Sequence, residues 1–511
     1  MALAEEFIHL GSDESDTMLL KASDPYSLHN PSTCERRVYL RHQGEPEEPP
    51  GPYEQVLRVL GDRHEKSHLG KFQEVVDLSK ANPAEREQRT LEEVKKEAPV
   101  IYQGGLRTKA RLKGVDCEIV GEPDFLICES SNYVIRDSKM SRRITEKDHP
   151  EIFGQLQIYG WLFEQTFGRP PLRLEIHSGI GAIVEIPYDG DTTALRILEE
   201  TVSLKQLSKE PYSPVGWSKC GGCSFHKRCW PMAEKVRDVA LVNGVDQGLA
   251  IGLRQQGIEN IDQFLSHYNA VSLAELKRPW GKTTQKVGSR AVSILRMAKS
   301  MATGQEELIQ SPDIPMHANY VMFDLEGLPP HLDELEKIYL WGMQVFGEKP
   351  GVYRSASAGF GDAGDRQGWE SFLNEAKTIF EEHEDIRWVH WHHYEKTYLE
   401  KYIERFGDRD GVAARVKNNL LDLLPITQRS VALPLPSYSL KVIEKYIGFS
   451  RTQTEYGGEW SMAKYIEATE SDDDTQRTGL LDEIKKYNEE DLAATWAVLQ
   501  WLKGKQPSSE A

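Results

Sequence analysis

The pattern of apolar and polar positions changes texture twice along the chain. EPDFLIC (122–128) and YVIRDSK (133–139) are two apolar-rich runs separated by the turn-like ESSN, which predicts a β-hairpin. HPEIFGQLQIYGWLFEQTF follows with apolar residues at helical spacing, and RLEIHSG and GAIVEIPY predict further strands. Between about Val239 and Thr303 the positions of Leu253, Gly257, Ile258, Ile261 and Leu265 instead predict a short helix, a glycine turn and a second helix. NYVMFDLEG (319–327) and KIYLWGMQVFG (337–347) predict two strands that open a new α/β domain. Helical patterns fill most of the remainder, ending in LLDEIKKYNEEDLAATWAVLQWL.

The breaks in this pattern outline the domains. GEPEEPPGP (44–52) is a proline-rich loop, QEELIQSPDIP (305–315) a linker and ESDDDTQ (470–476) an acidic loop. Residues 1–21 read as a flexible tail and KQPSSEA as a frayed end. The expected domains are 22–235, a helical module at 236–304, and 316–505. There is no internal repeat.

A length of 511 residues fits two or three cores. With 39% hydrophobic and 28% charged residues the composition is that of a soluble globular protein. No apolar run is long enough to span a bilayer, so no membrane partner is expected. MALAEEFIHLGSDESD lacks the basic start and apolar stretch of a signal peptide. The expectation is a cytoplasmic protein, in which clustered cysteines favour a metal over disulfides. A net charge of −18 excludes a non-specific coat on nucleic acid. It leaves room for an enzyme handling DNA locally, because RTKARLKG (107–114), SKMSRRITEK (138–147) and KRPWGKTTQKVGSR (277–290) are basic strips. Each strip reads equally well as a solvated face.

The predicted hairpin carries Asp124 on one strand and Asp137 and Lys139 on the next, the last two facing one side. Two carboxylates on adjacent strands can share Mg²⁺ or Mn²⁺, and a lysine beside them can hold a water or a phosphate oxygen. His64 in LGDRHEKSHL (60–69) and the Gln155/Tyr159 pair, one helical turn apart, extend the set. His64, GEPDF, DSK and Q-x-x-x-Y, in this order, resemble the RecB-like branch of the PD-(D/E)xK nucleases, with a restriction-endonuclease-like fold. The resemblance implies that His64, Asp124 and Asp137 ligate metal, together with the carbonyl after Asp137. It implies that Lys139 is catalytic and that Gln155 and Tyr159 support the site and the DNA end.

CGGCSFHKRCW (220–230) spaces three cysteines as C-x2-C-x5-C, a metal-ligating pattern that lacks a fourth ligand. Thiolate ligation fits zinc as well as iron, and spacing alone favours zinc, because C-x2-C knuckles are common. Some RecB-like nucleases, including AddB and the CRISPR-adaptation nucleases, place one cysteine before and three after the nuclease motifs around an iron–sulfur cluster. Cys34, Cys220, Cys223 and Cys229 resemble that layout, which implies a structural [4Fe–4S] cluster. Cys117 and Cys128 fit core positions better.

In YVMFDLEG, Asp324 and Glu326 share a face of an apolar strand, where two buried like charges are costly unless a cation or hydrogen bonds compensate, so the strand is a metal-site candidate. KKYNEEDLAATW places Tyr487 and Asp491 one helical turn apart. The set resembles DEDD exonucleases of the RNase H-like fold, in the variant with tyrosine four residues before the last aspartate. WVHWHHYEKTYL departs from that family, with Glu395 where the middle acid is usually aspartate. Activity of this domain is therefore the open point of the resemblance.

The module at 236–304 resembles helix-hairpin-helix units, whose backbone amides hold a phosphate; a plain helical linker is an equal reading. The fold expected is thus α/β: a restriction-endonuclease-like nuclease domain, a small helical module, then an RNase H-like domain. The function expected is metal-dependent hydrolysis of DNA, from ends or on single strands, in repair, recombination or defence. No G-x-x-x-x-G-K-[ST] occurs, so any helicase motor would be a partner. The competing readings are a DNA-binding scaffold with an inactive C-terminal domain, and a nuclease acting on RNA.

Overall fold

The computed structural model of the chain describes residues 17–141, 144–281, 283–328, 336–359, 361–454 and 457–506. Most of the expected N-terminal tail, the last residues of the expected frayed end, and Arg142, Arg143 and Lys282 of the basic strips lie outside the described residues. The chain forms two compact units, Met1–Pro46 with Gly61–Tyr212, and Glu47–Leu60 with Ser213–Ala511. In this division Glu47–Leu60 belongs with the later segment.

In the first unit the expected hairpin is present, as Phe125–Glu129 paired antiparallel with Asn132–Ser138. Ser130 and Ser131 turn it with φ of 51° and 62°, the left-handed pair that a two-residue hairpin requires. The hairpin lies central in a six-stranded sheet ordered Val76–Asp77, Val100–Tyr102, Phe125–Glu129, Asn132–Ser138, Arg173–His177, Ile183–Ile186. Asn132–Ser138 and Arg173–His177 run parallel, so the chain must cross over between them, and the helix Pro150–Phe167 does so. This helix is buried nearly all round, with Ile152, Leu156, Ile158 and Leu162 packed into the same core as Ile119, Tyr133 and Ile135. Asp124 sits one residue before its strand and Lys139 one residue after, a correction to the expected placement on the strands themselves. Met18–Lys21, assigned to the tail, is instead a strand paired parallel with Val115–Gly121.

The second unit holds a five-stranded sheet ordered Arg354–Ser357, Lys337–Gly347, Asn319–Leu328, Arg387–His390, Leu420–Asp422. Both strands predicted to open this domain are present and antiparallel. One face packs an aromatic core in which Trp341, Trp369, Trp388, Phe323 and Phe372 are almost fully buried. The helix Asp474–Lys503 buries Leu480, Ile484, Asn488, Asp491, Leu492 and Val498, a stripe of helical period.

The helix–turn–helix expected near Gly257 is present as Gln247–Gln255 and Ile261–His267, with Gly257 at φ 78°. The module shares its core with the five-stranded-sheet region rather than standing apart from it. Leu253, Phe264 and Ile294 lie in one hydrophobic cluster with Tyr320, Leu423 and Leu492. Glu307–Leu308, inside the expected linker, pairs with Val431–Ala432. The module also contains a hairpin, Lys277–Trp280 with Thr283–Lys286, where helix was expected.

Candidate active sites

The first site is built on the ends of the central hairpin. Phe125 faces Arg136 in the register, so Asp124 and Asp137 come together where the strands leave the sheet. The Asp124 amide donates to Asp137 Oδ1 at 3.3 Å, and the Ser138 amide donates to Asp124 Oδ2 at 2.7 Å. Burial, then the charge of Asp137, holds the Asp124 carboxyl well above the usual carboxylate range. Lys139 Nζ lies 2.7 Å from Asp137 Oδ2 and 5.5 Å from the centre of the Tyr26 ring. Burial works against the lysine charge, but Asp137, Tyr26 and Asp124 outweigh it, and the ammonium titrates well above its ordinary value.

Gln155 and Tyr159, expected to support the site, form a chain of hydrogen bonds that begins at the lysine. Gln155 Oε1 accepts from Lys139 Nζ at 3.0 Å, its Nε2 donates to Tyr159 OH at 2.9 Å, and that hydroxyl donates to the Glu122 carbonyl at 3.0 Å. These side chains therefore orient the lysine and tie the helix to the hairpin. The fit is close, since a Cβ on Gly121 would lie 2.9 Å from the Tyr159 ring.

His64 is half-buried, its ring stacked on His177 with centroids 4.4 Å apart. The His177 carbonyl lies 3.4 Å from His64 Nε2 and accepts from the Lys139 amide at 2.9 Å. Among the described residues, His64, Asp124 and Asp137 do not form a set with ligand atoms all within 4.8 Å of one another. Three further residues bear on this site. Glu65 accepts from Tyr102 OH and Gln103 Nε2 at 2.7 and 2.9 Å, and its charge adds to the upward push on Asp124. His68 and His177 are buried and stacked at 3.8 Å, and burial first, then neighbouring positive groups, lowers them to about 3 and about 4. Glu65 and His68 follow His64 on one helix, a signal the sequence offered.

The second site lies on the other unit's central strand. Ligand atoms of Asp324, Glu326 and Asp491 all lie within 4.8 Å of one another. Asp324 and Glu326 project from one face of Asn319–Leu328, and Asp491 comes from the C-terminal helix. Burial, then the charge of Asp491, pushes Glu326 up to about 8 and Asp324 well above its usual range. Asn488, one turn before Asp491, donates to Asp324 Oδ2 at 2.8 Å, and Tyr339 OH donates to Glu326 Oε2 at 3.3 Å. Tyr487 is buried against Asp491 and packs edge-on to Trp460 at 5.9 Å. Lys441 and Arg451 both form ion pairs with Asp491, and Arg451 also grips Glu444 through two bonds of 2.8 and 2.7 Å.

Glu395, expected as a ligand, stands outside this group. It is 2% exposed and pairs with His390 Nδ1 at 2.9 Å. Burial opposes charge on His390, but Glu395 overrides it and raises the imidazole above its ordinary value. Asp422, beside His390 in the sheet register, accepts from the amides of His392 and Leu424 at 2.9 and 3.0 Å. Glu395 lies near enough to act electrostatically on Asp324, and Asp422 on the His390 ring.

Both sites suit a hard divalent cation. Each gathers carboxylates of which burial first, and then a neighbouring acid, raises at least one, and an ion of charge +2 relieves the repulsion between them.

The four cysteines are distributed over both units. Cys34 caps the helix Glu35–His42 in the first, its amide donating to the Leu28 carbonyl at 2.8 Å. In the second, Cys220 closes the short helix Trp217–Cys220, the Cys223 amide donates to its carbonyl at 3.2 Å, and Cys229 lies on His226–Val236. All four are half-buried. Cys117 is 1% exposed within the core and Cys128 packs against that core, as expected of both.

Residues 31–230 match the model of the PD-(D/E)XK nuclease superfamily, a span that contains Cys34, Cys220, Cys223 and Cys229. Residues 321–503 match the model of the RNase_H superfamily. The crystal structure of SSO0001 is similar at 19% identity, covering 34% of this chain and 96% of its own, with a TM-score of 0.20. No curated protein matches the chain.

Proposed function

Because the chain carries a PD-(D/E)XK nuclease domain followed by an RNase H superfamily domain, we propose that it is a metal-dependent nuclease hydrolysing DNA phosphodiester bonds at two separate sites. The observation that carries this reading is the convergence of Asp324, Glu326 and Asp491 within 4.8 Å. Mg²⁺ or Mn²⁺ held there, or by Asp124 and Asp137, would lower the pKa of a bound water and offset charge on the reacting phosphate. At the first site Lys139 orients that water or a phosphate oxygen, and Gln155 and Tyr159 fix the lysine. At the second, Tyr487 orients the water. In each case water attacks phosphorus and the P–O bond to the leaving nucleotide breaks.

The RNase H-like domain acts as a 3′→5′ exonuclease, and the substrates are ends or single strands in repair, recombination or defence, with a motor supplied by a partner. Cys34, Cys220, Cys223 and Cys229 hold a [4Fe–4S] cluster of structural role, a reading supported by their order around the nuclease motifs. Anaerobically purified protein should then be brown and absorb at about 400 nm. Stoichiometric zinc without iron overturns the cluster.

The deciding experiment is a metal-dependent assay on labelled single- and double-stranded DNA and RNA. Lys139→Ala and Asp324→Ala should each remove a separable activity, and retention of full activity by both overturns the assignment. The pairing of Glu395 with His390 favours a second reading, in which the C-terminal domain binds nucleic acid without cutting it. Loss of activity in Lys139→Ala alone selects that reading.

A further inference from the structure

Two cations meet at Asp491, and their surroundings differ. The Arg451 side chain is 3% exposed and is clamped by Glu444, itself 1% exposed, as well as by Asp491. It is committed to holding the acid in place. The Lys441 side chain is 28% exposed and reaches Asp491 from the helix Leu440–Tyr446. Its ammonium also lies 4.5 Å from the centre of the Tyr487 ring. Its charge opposes the upward push on both Asp324 and Glu326, so it bears on the whole carboxylate group.

We propose that Lys441 binds the phosphate of the substrate in the RNase H-like site. This rests on the reading of that domain as a nuclease. A dianionic or anionic phosphate brought to three carboxylates needs positive charge at the rim, and Lys441 supplies it between the last acid and the tyrosine. Its flexible stem lets the ammonium move from Asp491 to a phosphate oxygen without disturbing the buried arginine. The lysine is a point charge toward the ligand, and the arginine is an anchor toward the protein.

The test uses the full chain carrying Lys139→Ala, which silences the first site. Binding of a single-stranded oligonucleotide is measured by fluorescence anisotropy with Ca²⁺ replacing Mg²⁺. One oligonucleotide has a normal 3′-terminal phosphodiester, the other an uncharged methylphosphonate there. The Lys441-bearing chain should prefer the charged linkage about tenfold or more, the worth of a charged hydrogen bond. Lys441→Gln should abolish that preference, and Lys441→Arg should retain part of it. A structural role would weaken binding to both oligonucleotides equally. A Lys441→Gln chain that keeps the preference overturns the inference, while Asp324-dependent nucleotide release by the parent leaves the nuclease reading standing. Absence of both the preference and that release in the parent overturns the two together.

Discussion

Gly342 lies directly opposite Asp324 in the antiparallel pair that carries the second site. A Cβ there would collide with Asn488 Oδ1 and fall 2.6 Å from its Cγ. The missing side chain is what lets Asn488, fully buried, reach across to Asp324 while accepting from Tyr353 OH at 3.0 Å. Gly342 is not among the positive-φ glycines, so Gly342→Ala meets no backbone strain and its cost is the collision alone. Overpacking of this kind costs about 1–3 kcal/mol, and expelling Asn488 removes a charged hydrogen bond worth about 1.5–3 kcal/mol. In an Asn488→Ala background the collision partner is gone, and the glycine substitution should cost under about 0.5 kcal/mol. Urea unfolding followed by tryptophan fluorescence reads this cycle selectively, because every tryptophan except Trp161 lies in the second unit. Gly342→Ala should also abolish Asp324-dependent nucleotide release and leave Lys139-dependent cleavage intact. An equal cost of Gly342→Ala with and without Asn488 refutes the reasoning.

Two further outcomes concern the first unit and the cysteines. His68 and His177 are neutral when folded and titrate near 3 and 4, below the unfolded value of about 6.5. The unfolded chain therefore binds more protons below that value, and stability falls as pH drops from about 6.5 toward 4, by up to about 1.4 kcal/mol per unit for each histidine. Urea midpoints of His68→Phe should show a flatter acid limb, and an unchanged slope refutes the assignment. Cys220→Ser should lower iron content and absorbance near 400 nm in anaerobic protein while Cys117→Ser leaves both unchanged, measured by metal analysis and spectroscopy.

The acids at the centre of both sites were legible because strand and helix periods fix which residues share a face. Asp324 with Glu326, and Tyr487 with Asp491, needed no tertiary information. Asp124 and Asp137 were legible through the hairpin, although each functional residue at its mouth sits just beyond or at the end of a strand. Lys441, Arg451 and Asn488 were not legible, since they meet Asp491 or Asp324 only when separate elements pack. Glu395 follows His390 by five residues, but that the two pair was not legible, because it depends on how the helix Tyr394–Phe406 leaves the end of the strand Arg387–His390. The hairpin Lys277–Trp280 with Thr283–Lys286 escaped detection because nearly all its side chains are exposed, leaving no alternation to read.

The two sites balance their negative charge in different ways, and this makes metal dependence separable. In the first, Lys139 sits within the carboxylate pair as a fixed internal counter-charge. In the second, the cations engage Asp491, and Asp324 and Glu326 remain pushed up by burial and by their acidic neighbours. A carboxyl whose folded pKa exceeds its unfolded one contributes stability below the unfolded value and loses it as pH rises through the folded one. For Glu326 that window runs from about 4.5 to about 8, so the metal-free second unit should weaken across it. Asp324→Asn removes one of the repelling charges and keeps an oxygen for the Asn488 amide. It should raise the metal-free urea midpoint at pH 8, with little change at pH 5. Mg²⁺ at a hundred times its Kd should stabilise the parent by about 2.7 kcal/mol and the variant far less. The variant would then be the more stable protein without metal and the less stable with it. An Asp324→Asn chain that is destabilised at pH 8 without metal would show that Asp324 does not carry the repulsion assigned to it.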